Sequence, residues 1–136
     1  MNSLSIEVSG VREAEAALRA FPDAVDHSFQ GRLRDVARAV AAKARARASW
    51  SRKIPPGIQY SSSGEGATVE YLASAPAIGR LSELRDVWTH PLFGDRRHMY
   101  PQRGRPFLDP AAAGAEAALA LEAEVAIEVG MKEVDL

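Results

Sequence analysis

A chain of 136 residues, 46% of them apolar, is long enough for a single domain with a core of its own, spanning 1–136, and short for two. The formal net charge is −1 and cysteine is absent, which removes disulfide frameworks, thiolate metal sites and cysteine nucleophiles. There is no run of about 18 apolar residues and no basic start leading into an apolar stretch, so the expectation is folding in a cytoplasm without membrane contact.

In chain order, Leu4 to Val8 alternates apolar and polar with Leu4, Ile6 and Val8 on one side, which predicts a short half-buried strand. Gly10 ends it. Val11 to Ala20 predicts a short helix that Pro22 stops, and Asp23 then caps a longer one. In that second helix Phe29, Leu33, Val36, Val40 and Ala44 recur at intervals of four and three, the spacing of one buried stripe. Arg34, Arg38 and Arg45 fall on the opposite side, toward solvent or a partner. Beyond Ala44 the apolar stripe runs out while helical composition continues to Ala48, so the helix end is expected to project from the body.

The segment SWSRKIPPG, Ser49 to Gly57, breaks this helix, because the residue before proline leaves the α region and consecutive prolines favour an extended chain. Two strands follow, Ile58 to Ser61 and Thr68 to Ala73, with SSGEG in the hairpin loop between them. Ala75 to Leu84, with Ile78, Leu81 and Leu84 three apart, suits one or two helical turns. Trp88 to Pro110 (WTHPLFGDRRHMYPQRGRPFLDP) combines four prolines and two glycines with four aromatics and six charges, and reads as a long, shaped loop that docks through its aromatics. Asp109 and Pro110 open a final helix rich in Ala, Leu and Glu. From Glu122 to Val129 the apolar and acidic residues also alternate, so helix and strand both stay open there. The fold class is α+β, a small antiparallel sheet packed against the long helix and the C-terminal helix, with a long Pro/Gly-rich loop.

Charge is segregated along the chain. Gly31 to Lys53 holds eight Arg or Lys and one acid, whereas Asp109 to Leu136 holds seven acids and one Lys. Such polarity fits a surface that meets an opposite surface, or two independently solvated helix faces. The basic stretch, with Arg34, Arg38, Arg45, Arg47, Arg52 and Lys53 around Trp50, has the composition for sequence-independent phosphate contact, although no named DNA-binding motif is present. His90, Asp95 and His98 lie within nine residues and offer a conceivable divalent-metal set. No P-loop, H-E-x-x-H helix, nucleophile elbow or dinucleotide fingerprint occurs, so catalysis is not indicated and no cofactor is expected.

Two motifs stand out in the loop, His90-Pro91-Leu92-Phe93-Gly94-Asp95 and Arg105-Pro106-Phe107-Leu108-Asp109-Pro110. HPLFGD and RPFLDP, about a dozen residues apart before a final helix, resemble the tail-completion or neck family of long-tailed bacteriophages, minor proteins of the head-tail junction. The order of elements, from the Arg- and Ala-rich helix through the strand pair and SAPAIGRL to the C-terminal helix, is similar over most of the chain. One departure is SWSRKIPPGIQYSSS, which stands where many relatives carry a basic, Thr-Gly-containing segment. The resemblance implies a non-enzymatic virion subunit in a hexameric ring between the head connector and the tail tube, with a tail-terminator ring as the alternative. Partners would be other copies, neighbouring neck, connector, tail-tube or terminator proteins, and non-specifically the DNA in the channel. The expected contact residues are Arg34, Arg38, Arg45, Arg47, Trp50, Arg52, His90, Pro91, Phe93, Arg105, Pro106 and Phe107. Phe93 and Phe107 are equally suited to filling the subunit's own core.

Overall fold

The computed structural model describes residues 4–64, 66–72, 83, 87–92 and 95–134, and its architecture is α+β. Strand β1 (Leu4–Glu7) leads into helix α1 (Val11–Leu18) and the long helix α2 (Asp23–Arg47). A 3-10 turn at Pro55–Gly57 precedes β2 (Ile58–Ser63) and β3 (Gly66–Tyr71). Then come β4 (Val87–Leu92), β5 (Asp95–Arg103), a single helical turn α3 (Asp109–Ala112) and α4 (Ala115–Val134). The expected segment Ala75 to Leu84 lies outside the described residues apart from Glu83.

Strands β1, β3 and β2 form an antiparallel sheet in that spatial order. Ile6 stands opposite Val69 and Val69 opposite Tyr60, while Leu4, Tyr71 and Ile58 form the next row. Because side chains alternate along a strand, this register sends Ala67, Val69 and Tyr71 inward together. A hydrogen bond from Val8 N to Ala67 O (2.9 Å) extends the pairing past β1, and Leu72 N to Gly57 O (2.8 Å) closes the far end. At Gly57 a side chain would collide, since a Cβ there would lie 2.7 Å from the Leu72 carbonyl oxygen.

Helix α2 is buried on two faces. Its apolar stripe, Phe29, Leu33, Val36, Val40 and Ala44, is in the core as the spacing predicts. Val25, Ala37 and Ala41 are buried as well, because the sheet covers one side of the helix and α4 the other. Asp23 is the first helical residue with Pro22 at the cap position, so the Asp23 and Asp26 carboxylates act on the helix dipole and no side chain caps the end. The C-terminal end does not project. Ala48 is fully buried, and the chain turns beneath it where Ser51 Oγ accepts from Lys53 N (3.2 Å) and Ile54 N (3.3 Å), folding Ile54 into the core.

Residues 122–129 are helical. Ala115, Leu119, Ala126 and Gly130 recur at helical spacing on the buried side of α4, and that periodicity outweighs the local alternation. The final helix breaks once, at Gly114, whose φ of 82° belongs to the left-handed region that glycine tolerates. Helix α4 runs antiparallel to α2. Arg32 Nη1 meets Glu122 Oε2 at 2.9 Å, and two turns further along α4 Gly130 lies against Val25.

The long loop is the largest correction. Val87 to Leu92 and Asp95 to Arg103 pair as an antiparallel ribbon, with His90 opposite Tyr100 and a register shift at Pro91/Leu92. Pro91 and Pro101 are compatible with this because a two-stranded ribbon has only edge strands, where a missing N–H costs little. Among the described residues of this stretch the irregular chain is its return, where Phe107 is buried against Tyr71 edge to face, with centroids 5.7 Å apart.

At the α1–α2 junction Gln30 Nε2 donates to Glu15 Oε1, and the Asp26 carboxylate acts on the same group. Burial first, then the Asp26 hydrogen bond and charge, push the Glu15 carboxyl from 4.5 up to about 7, against the pull of Arg19 and Gln30. The folded state therefore holds this proton more tightly than the unfolded chain does. Its stabilising effect is complete below about pH 4.5 and is lost as pH rises through about 7. Thermal melts across this window should show Glu15→Gln gaining stability over the parent above pH 7 and converging with it below about pH 4.5. A Cβ on Gly130 would lie 2.5 Å from Val25 Cα, so Gly130→Ala should cost about 1–3 kcal/mol in denaturant titration.

Candidate interface on the second helix

Arg34 and Arg38 stand one helical turn apart on α2 and are exposed beside β2, one of the two outer strands of the three-stranded sheet. Tyr60 points from β2 toward them. Arg38 Nε donates to the Tyr60 hydroxyl at 3.2 Å, and Arg34 adds its charge beside the same hydroxyl. Both guanidiniums favour the phenolate, chiefly through the Arg38 hydrogen bond, and hold Tyr60 below its ordinary value. Asp35 approaches Arg38 at 3.6 Å, but both side chains are well exposed and such a pair contributes little.

The third arginine of the expected stripe behaves differently. Arg45 is half-buried and its Nη2 donates to the Ile58 carbonyl at 2.8 Å, at the start of β2. It thus occupies a backbone acceptor of the outer strand, and its role is to hold helix to sheet. Arg38 and Tyr60 tie the same pair of elements two residues further along β2. A charged cover of this kind also protects a strand edge from pairing with another chain.

A second cluster joins residues more than fifty positions apart. The Arg105 guanidinium lies over the Trp50 ring, 5.2 Å from its centroid, so two expected contact residues satisfy each other within the chain. Trp50 is half-buried, and its Nε1 is enclosed without a hydrogen-bond partner among the described residues. Arg47, Arg52, Lys53 and Pro106 are exposed, whereas Phe107 is fully buried and belongs to the core of this chain. His90 and Pro91 lie on β4, and Phe93 is outside the described residues. Of the possible metal set, His90 is on β4 while Asp95 and His98 are on β5, placed by backbone register alone.

Glu83 is a site residue that sequence reasoning misses. Its Oε2 accepts from the backbone N–H of Phe107 (2.5 Å) and Leu108 (3.1 Å), and its Oε1 from that of Asp109 (2.9 Å). These donors open α3, where an anionic acceptor is well placed, and Asp109 itself is the first helical residue. Nothing local marks Glu83, because its partners lie 24 to 26 residues downstream. Tyr60 is also missed, since the hairpin pattern carries no sign that an arginine pair awaits its hydroxyl.

No family model, curated protein or solved structure matches the chain. Among the described residues, no group of three His, Cys, Asp or Glu is arranged to hold a metal ion, and no helix is long and apolar enough to cross a membrane. What the arrangement offers is a basic, aromatic-edged face on α2 and β2 and an acidic face on α4. Arg38→Ala should move the phenol titration of Tyr60 back toward 10, followed by ultraviolet difference absorbance against a Tyr60→Phe control.

Proposed function

We propose that this chain is a structural, non-enzymatic subunit of a tailed-phage particle, acting in the neck at the head-tail junction as a tail-completion ring component. The observation that carries the reading is the β4–β5 ribbon. It forms a sheet of its own, separate from the three-stranded sheet, and contains HPLFGD where its two strands meet. RPFLDP is the stretch by which the chain re-enters the body, anchored by Phe107 and by Glu83. An anchored ribbon with no sheet partner among the described strands is suited to reaching a neighbouring subunit. A ring also needs one surface to meet a different surface on the next copy, and the separated basic and acidic helices supply two.

Tail termination is the nearest alternative within the same setting, and a hexameric ring is the assembly the motif resemblance implies. The reading from another class is sequence-independent DNA binding. Exposure of Arg47 at the end of α2 and of Arg52 and Lys53 just beyond it supports this reading, and these residues are suited to phosphate contact inside a channel.

Inactivating the gene in its phage should leave filled heads and finished tails unjoined in electron micrographs, and adding the purified protein to the lysate should restore tailed particles. Intact tailed particles at normal yield from the inactivated phage would overturn the assignment.

A further inference from the structure

The outer face of α4 carries features that the fold does not use. With Ala115, Leu119, Ala126 and Gly130 turned inward, Leu121, Glu124, Val125 and Glu128 share the other side, at the spacing of one helical stripe. Leu121 is 63% exposed, whereas Phe21, the other exposed large apolar side chain among the described residues, is 37% exposed. Glu124 and Glu128 are exposed, and Glu128 makes only a long 3.8 Å contact with Lys132, itself well exposed. Glu124 has no ion pair among the described residues.

The basic face has the same geometry in the opposite sign. Gly31, Arg34 and Arg38 are exposed on α2 and follow one another with the spacing of Leu121, Glu124 and Glu128. Each charged pair is one turn apart, about 6 Å of helix rise, so two carboxylates meet two guanidiniums without either helix bending. A Cβ at Gly31 would meet nothing within 4 Å, which leaves open room for an apolar side chain beside the arginines. Tyr60 holds the Arg38 guanidinium in place, reducing the side-chain ordering that a contact would require. Within the chain α2 and α4 already recognise each other through Arg32 and Glu122, the same pairing in miniature.

We infer that the Leu121–Glu124–Glu128 stripe of α4 docks on the Gly31–Arg34–Arg38 stripe of α2 in a second copy of this chain, head to tail. The two helices run in the same direction across the contact, with Leu121 against Gly31, Glu124 against Arg34 and Glu128 against Arg38. An acidic helix fits this patch better than duplex DNA does, because only two arginines are presented, with Asp35 between them and Arg45 committed to Ile58. Since the two stripes differ, the contact is heterologous and each copy keeps both halves available. The inference rests on the ring-subunit reading and names the surface that such a ring would use.

The test uses the full-length chain in sedimentation velocity and native mass spectrometry. Arg34→Glu with Arg38→Glu, and separately Glu124→Lys with Glu128→Lys, should each weaken self-association by at least about tenfold, since like charges then face each other. Mixing the two variants should restore the oligomer, because each supplies the sign the other lacks. As the chain has no cysteine, Gly31→Cys mixed with Leu121→Cys should give a disulfide-linked dimer under mild oxidation, and Ala42→Cys in place of Gly31→Cys should not. Circular dichroism confirms that the variants remain folded.

Unchanged association in both reversal variants, no rescue on mixing, or no crosslink at the highest attainable concentration would overturn the contact. So would loss of duplex DNA binding in the arginine variant with self-association intact, which would assign the patch to nucleic acid. The two readings fail separately. If gene inactivation blocks head-tail joining while the charge reversals leave oligomers and particles unchanged, the contact is wrong and the function stands. Rescue on mixing, together with normal particles from the inactivated phage, means the reverse.

Discussion

Helix α2 is clasped on two sides, and the rest of the structure depends on that double contact. A helix that buries one stripe tolerates variation on its other faces, but this one places Val25, Phe29 and Leu33 in the core together with Ala37 and Ala41. Small residues serve both contacts. Ala37, Ala41 and Ala44 are fully buried on α2, and Gly130 brings α4 to the backbone of Val25. Interiors are close-packed, so each approach fixes the next. The position of α4 sets where its acidic outer face points, and the position of the sheet sets which arginines stay exposed. Arg45 joins the packing at Ile58 while Arg34 and Arg38 remain outside.

Much of this fold was legible in the residues. Periodicity marks the stripe from Phe29 to Ala44, and alternation marks β1 and the β2–β3 hairpin, because in each case one face is buried and the other is wet. The chain between Trp88 and Arg103 misleads for a definite reason. Proline and glycine argue against a central strand, yet a two-stranded ribbon has no central strand, so their presence does not bear on it. The alternation from Glu122 to Val129 misleads in the opposite way. An amphipathic strand would bury Val125 and Val129 together, but both are only half-buried, and Ala126 and Gly130 bury instead, at helical spacing.

The candidate surface was legible in part. Segregated charge along the chain pointed to Arg34 and Arg38 and to the acidic C-terminal helix, and both are exposed. Trp50 was marked as a contact residue by the basic stretch around it and Arg105 by the RPFLDP motif, and the two contact one another. A sequence names side chains suited to recognition but not whether a partner already stands within the same chain. Phe107 is the clearest instance, an aromatic in a proline-rich stretch whose partner is Tyr71. Glu83 and Tyr60 act across the tertiary structure and leave no local trace.

The Glu83 carboxylate has a consequence for how the molecule can change over time. It lies before the β4–β5 ribbon and grips the backbone after it, so the span of 24 residues between Glu83 and Phe107 enters and leaves the body at one point. For a flexible closed loop the entropic cost of length grows slowly, and doubling it adds only about 0.6 kcal/mol. With both ends pinned together, residues can be inserted into or deleted from the ribbon without displacing Phe107 or the sheet beneath it. Changes in the length of the ribbon are thereby uncoupled from the packing of the body.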